Sequence, residues 1–170
     1  MNKYKFLLLF ILCCALPLAA AKVVLEFGWF SAGFSSKGEW LEQEVFLLPD
    51  AHQQVDHWRI AVVPALACDS PCQQALYTVR QLYTGLGRKQ TQVQPVLVNA
   101  ELPADYLMFE SQKALVPQLD GLAGYILLID QQGLALLRYP MPAEKSQMAP
   151  TAAAIRADLL KLLNYDRTSV

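Results

Sequence analysis

Histidine is almost missing from this 170-residue chain, and cysteine is scarce. The two histidines are His52 and His57. Two of the four cysteines, Cys13 and Cys14, sit in an apolar N-terminal run and serve there as small hydrophobes. An ordinary zinc site is therefore out of reach without the remaining pair, Cys68 and Cys72, and no H-E-x-x-H motif occurs. Charge of one sign is not in excess either: 14 Lys and Arg stand against 15 Asp and Glu. Lys3 and Lys5 are the only charged residues before Lys22, so the rest of the chain is net acidic. That excludes a broad basic surface for nucleic acid and a polybasic membrane-binding skirt. Internal repeats and low-complexity tracts are absent. Charged residues make up 17% of the chain against 54% hydrophobic, which excludes a disordered, solvating polymer and requires a core. Gly85-Leu86-Gly87-Arg88-Lys89 lacks the spacing of a phosphate-binding loop, and its two basic residues read as favourable charges at a helix C-terminus.

What is present starts with Lys3 and Lys5, followed by an uncharged stretch from Phe6 to Ala21. That stretch makes roughly 24 Å of helix, short of a ~30 Å hydrocarbon core. Val23, Val24 and Leu25 extend it past Lys22, whose stem can snorkel, and Phe27, Trp29 and Phe30 supply an interfacial aromatic belt. The reading is one N-terminal transmembrane helix within residues 1–30. A cleaved secretory signal ending near Ala19-Ala20-Ala21 is the competing reading. Both keep Lys3 and Lys5 cytoplasmic and send the remaining chain across the membrane.

Residues 31–57 read as a linker that packs on the domain, flexible around Gly33 and Gly38 and contributing a short strand near Val45 to Leu48. The domain proper is expected over 58–170. Trp58 to Pro64 is a buried strand, and Cys68-Asp69-Ser70-Pro71-Cys72 follows directly. Ser70 is placed as N-cap and Pro71 at the first position of a helix whose inward face is Leu76, Val79, Tyr83 and Leu86. Gly85 and Gly87 close it. A second strand covers Val93 to Asn99, and a weaker helix Tyr106 to Leu115. A third strand, Tyr125 to Asp130, turns through Gln131-Gln132-Gly133 into Leu134 to Tyr139, and Ala152 to Leu163 is a closing helix. The order β-α-β-α-β-β-α gives an α/β fold, a mixed four-stranded sheet flanked by helices.

Thiols at a helix N-terminus face unpaired N–H groups that stabilise thiolate, although Asp69 adds an opposing negative charge. Three readings of Cys68 and Cys72 stay open: a dithiol/disulfide redox pair, a Cu(I) site completed by another soft ligand, and a structural bridge.

This order of elements, with cysteines between the first core strand and its helix, resembles the thioredoxin fold. More specifically it resembles the SCO/SenC group, and within that the small membrane-anchored proteins associated with cytochrome c oxidase. The likeness runs from the N-terminal helix through Phe27-Gly28-Trp29, Lys37-Gly38-Glu39 and Trp58 to the C-x3-C. It implies a single-pass protein of a bacterial inner membrane with its C-terminal domain in the periplasm. Such a protein assists cytochrome c oxidase assembly, docks an oxidase subunit or assembly factor, and handles Cu(I) or thiols without strong enzyme activity of its own. A non-catalytic interaction module with a structural disulfide is the alternative.

The resemblance also implies a copper-ligating histidine in Leu119-Asp120-Gly121-Leu122-Ala123-Gly124, where there is none. The cis-proline that thioredoxin-like oxidoreductases place there is missing too. His57 falls roughly 20 Å away at the far end of the first core strand, and His52 reads as a surface residue. Met141 and Met148, on the loop after the last strand, are the soft donors nearest the cysteines, which makes Cys68, Cys72, Met141 and Met148 the candidate copper set.

Overall fold

A computed structural model describes residues 3–26, 36–49, 57–65, 67–117 and 119–166. In chain order its elements are α1 (Lys3–Glu26), β1 (Glu39–Phe46), β2 (Trp58–Val63), α2 (Ser70–Gly85), β3 (Val93–Val98), β4 (Glu110–Gln112), β5 (Tyr125–Ile129), β6 (Leu134–Pro140) and α3 (Lys145–Asp166). A 3-10 turn, Gly87–Gln92, joins α2 to β3.

β2 is the structural centre because every one of its residues is buried. A strand buried on both faces needs neighbours on both sides and cover above and below. It pairs in parallel with β3 and antiparallel with β5 in a sheet of order β1-β6-β5-β2-β3-β4. Alternation splits its side chains between two cores. Trp58, Ile60 and Val62 join Leu76 and Val79 of α2 and Ile155 and Leu159 of α3. Ala61 and Val63 join Leu47, Leu48, Leu122 and Leu127 on the opposite face.

The sheet has six strands rather than the expected four, because the short strand expected in the linker is longer and joins one edge, and a segment expected as helix joins the other. Glu39–Phe46 lies along β6 as an antiparallel strand, with an irregularity between Trp40 and Val45. The helix expected over Tyr106 to Leu115 does not form. Phe109 is buried edge-on against Tyr106, and Glu110–Gln112 runs parallel to β3. Asn99 fixes that pairing: its N–H donates to the Gln112 carbonyl and its side-chain oxygen accepts from the Ala114 N–H. Tertiary pairing here overrides a weak helical period. The closing helix also begins earlier than Ala152, at Lys145, and carries Pro150 inside it.

The N-terminal unit is described over helix α1 alone. Its helix α1 contains Pro17 and exposes Phe10, Ile11, Leu12 and Leu16. Among the described residues no helix is long and apolar enough to cross a membrane, in contrast with the transmembrane helix expected within residues 1–30. Lys5 and Lys22 bound an uncharged stretch of only roughly 24 Å. The aromatic belt, Phe27, Trp29 and Phe30, lies outside the described residues.

The chain enters β1 through a clamp. Asp158 of α3 is buried, and its Oδ2 accepts from the Lys37 N–H at 2.6 Å, the Gly38 N–H at 2.9 Å and the Tyr139 hydroxyl at 2.8 Å. Lys161 Nζ stands 3.8 Å from the other carboxylate oxygen. Burial, then the bond to Asp158, pushes the Tyr139 phenol far above its usual range, so it stays a neutral donor. Glycine is required at position 38, where a Cβ would come within 2.5 Å of the Tyr139 ring. Glu39 then makes paired hydrogen bonds with Arg138, which hold its carboxyl below the usual range.

Candidate thiol site

The candidate site is built by the stop of β2 and the start of α2. After Val63 the chain turns, with the Asp69 N–H donating to the Ala67 carbonyl. Asp69, not Ser70, is the N-cap: its backbone is extended and its Oδ1 accepts from the Cys72 N–H at 3.2 Å. Ser70 is already helical, and Pro71 follows at a position whose N–H has no intrahelical partner to lose. Cys68 thus stands just before the cap and Cys72 in the first turn.

The two cysteines form a disulfide, with Cα atoms 5.0 Å apart. Their environments differ. Cys72 is fully buried in the core shared by α2 and α3, whereas Cys68 is half-buried at its rim. Of the two residues, Cys68 is the one open to solvent, so a thiolate attacking this bond would meet Cys68 and displace Cys72. The departing thiolate would lie in the first turn of α2, where the helix N-terminus favours negative charge.

Register brings two further segments to this end of the sheet. Val63 pairs with Tyr125, and Tyr125 pairs with Pro140. Gly124, immediately before β5, donates its N–H to the Val63 carbonyl at 2.8 Å and accepts from the Met141 N–H at 3.2 Å. Its φ of 83° is a conformation that glycine adopts freely. No cis peptide occurs among the described residues.

Met141 is half-buried against the core that holds both cysteines. Met148 lines a groove of about 620 Å³ together with Ser70 and Gln73 from the first turn of α2, and with Gln74, Tyr77, Tyr106 and Lys145. His57 precedes β2 and so lies at its other end, the six residues of the strand away from the cysteine turn. His52 lies outside the described residues.

The donors present do not make a two-cysteine, one-histidine copper centre. The two sulfurs are bonded to each other, and the loop before β5 offers backbone and no imidazole. Among the described residues no group of three or more His, Cys, Asp or Glu is placed to hold a metal ion.

Sequence reasoning passed over the groove. Tyr77 and Lys145 come from two different helices and Tyr106 from the loop between β3 and β4, and no spacing in the sequence connects them. Tyr106 stands at the start of the helix expected over Tyr106 to Leu115, which does not form. The one hint was Tyr77, which falls off the apolar stripe of α2 and is exposed.

Comparison with known proteins places this geometry. Residues 58–166 match the family model described as the transmembrane-like, thioredoxin-like, C-terminal domain. Among solved structures, the apo Sco1 protein of Thermus thermophilus superposes with a TM-score of 0.52 at 16% identity, covering 78% of this chain and 99% of that one. A putative electron transfer protein from Aquifex aeolicus gives a TM-score of 0.40 at 12% identity, covering 72% and 96%. No curated protein matches the chain. The fold is thus thioredoxin-like and SCO-like, a mixed sheet with helices packed on it.

Proposed function

The chain belongs to the transmembrane-like, thioredoxin-like, C-terminal domain family, and on that premise we propose that it is an accessory protein exchanging thiols through Cys68 and Cys72 during cytochrome c oxidase assembly. The observation that carries the reading is the asymmetric disulfide, one sulfur at the rim and the other sealed in the core. A partner thiolate attacks Cys68 Sγ, the Cys68–Cys72 bond breaks, and Cys72 leaves as thiolate. A second partner thiolate then attacks the partner's own sulfur in the mixed disulfide and releases Cys68. The partner dithiol is oxidised to a disulfide, the pair is reduced to two thiols, and the two protons pass from partner to pair. The reverse direction reduces a partner disulfide.

The assembly context rests on the SCO-like fold and on the sequence resemblance. The resemblance also supports a periplasmic domain held at a bacterial inner membrane by α1. Cu(I) as cargo is a second reading. It is favoured by Met141, packed on the core of the cysteines, and by Met148, beside the first turn of α2, as thioether donors once the pair is reduced.

The test uses single-cysteine variants in a Cys13→Ala/Cys14→Ala background, since both of those thiols are free and exposed. Cys72→Ser leaves Cys68 to accumulate a mixed disulfide with oxidised glutathione, and Cys68→Ser leaves a sealed Cys72 that does not react. Equal reactivity of the two would overturn the exchange reading. Titration of Cu(I) against a competing chelator, with Cys68→Ser/Cys72→Ser as control, decides the cargo reading.

A further inference from the structure

The groove beside the disulfide has a chemistry of its own. It starts on the first turn of α2, where Ser70 lies between the two cysteines in sequence and Gln73 follows Cys72, and it runs out over Tyr77, Tyr106 and Met148. Tyr77 is 47% exposed, and Leu107, next to Tyr106, is 88% exposed. Apolar and aromatic surface is thus left open along the first turns of the helix that carries Cys72, on the side from which a thiol partner would dock. Lys145 is the one ionised side chain in the lining, and the Arg80 guanidinium lies over the Tyr106 ring at 5.9 Å from its centroid. Two cations, Lys145 in the lining and Arg80 on the Tyr106 ring, thus stand at the aromatic wall of a chain that is slightly acidic as a whole.

We infer that this groove selects the exchange partner: an extended cysteine-bearing segment with an apolar or aromatic residue beside its cysteine and a carboxylate beyond it. The apolar residue packs on Tyr77, Tyr106 and Met148, and the carboxylate meets Lys145 and Arg80. The inference rests on the exchange reading. Peptide thiolate attacks Cys68 Sγ, the Cys68–Cys72 bond breaks, and the Cys72 thiolate takes the proton given up by the peptide thiol. The groove alters how long the peptide cysteine is held near Cys68, and leaves the chemical step as it is for any small thiol.

The experiment uses the oxidised full chain with Cys13→Ala/Cys14→Ala, in detergent micelles. Mixed-disulfide formation is followed by mass for the acetylated, amidated peptides Glu-Phe-Cys-Phe-Glu, Gln-Phe-Cys-Phe-Gln and Lys-Phe-Cys-Phe-Lys. Each rate is normalised to that peptide's rate with dithiodipyridine, an uncharged reference disulfide. Dithiothreitol, too small and neutral to use the groove, is the internal control. The acidic peptide is expected to react fastest. Lys145→Glu should slow it about fivefold and reverse the order of the charged peptides. Tyr77→Ala should slow all three about fivefold. Neither exposed substitution should change the dithiothreitol rate. Equal normalised rates, or insensitivity to both substitutions while dithiothreitol still reduces the pair, overturn the groove and leave exchange standing. A disulfide that dithiothreitol cannot open in the folded protein overturns both.

Discussion

Two places pin the chain to the layer formed by α2, α3 and the sheet, and they are made differently. At the clamp, one buried carboxylate receives two backbone N–H groups and a buried phenol, and glycine at position 38 brings the backbone close enough to do so. At the cysteine turn the closing bond is covalent, yet one of its ends stands at the surface. The clamp can be lost only by unfolding that corner of the domain. On the exchange reading, a thiol opens the turn without moving the core, and the Asp69 cap then holds the start of α2 in place of the covalent bond. Strength without access marks a structural device, whereas a bond with one accessible end is suited to exchange.

Breaking the clamp should have the largest effect. Asp158→Ala leaves the Tyr139 hydroxyl and two backbone N–H groups without their acceptor, at a cost of about 3 kcal/mol in urea denaturation. A loss under about 1 kcal/mol would mean that water replaces the carboxylate and that the clamp holds little.

Opening the cysteine turn should cost less. Reduction, or Cys68→Ser/Cys72→Ser, removes a closed loop of sequence separation 4, for which chain entropy gives about 2 kcal/mol. The circular dichroism of the reduced protein should match that of the oxidised one. Collapse of the helical signal on reduction would make the bridge structural and erase the contrast between the two places.

Tyr139→Phe sharpens the clamp by removing one of its three donors, at about 1 kcal/mol near neutral pH. Its pH dependence is more telling. The folded phenol titrates far above the unfolded value of 10.0, so the native state holds its proton while the unfolded state gives it up. That stability is complete below pH 10 and declines as pH rises beyond it. The variant should lack this alkaline decline, which parallel denaturation series would detect.

The smallest effect is expected at Glu39–Arg138, at the exposed edge of the clamp. The paired hydrogen bonds hold the Glu39 carboxyl below its ordinary value of 4.5, so its contribution is present above that pH and fades as pH falls through the lower folded value. Glu39→Gln should flatten a shallow acid-limb slope in thermal melts and change little at pH 7.

The part of the fold legible in the sequence is the part with a strong single period. β2 is uniformly apolar, α2 has a clean stripe with a proline near its start, and the β5–β6 hairpin has Gly133 at a positive φ. Edges were harder to read. β1 mixes acidic and apolar residues without regular alternation and is held by one neighbour, and β4 is three residues set by Asn99. The cap shifted by one residue because Ser70 and Asp69 are both capping types, and the Asp69 side chain is the one that bonds the Cys72 N–H. At the site, the cysteines are visible as a pair four apart, and their unequal burial is not. That inequality arises because Cys72 lies in the first turn of α2 on the stripe of Ala75, Leu76 and Val79, whereas Cys68 precedes the helix.

The most direct test of the central claim is the equilibrium of the Cys68–Cys72 pair in glutathione redox buffers, read by mass after alkylation. The Cys13→Ala/Cys14→Ala chain is used, with folding monitored in parallel. The account predicts a pair that interconverts in the folded state with a potential above about −300 mV, within reach of thiol partners. A pair that stays oxidised below that value, and yields only when the domain unfolds, would contradict it.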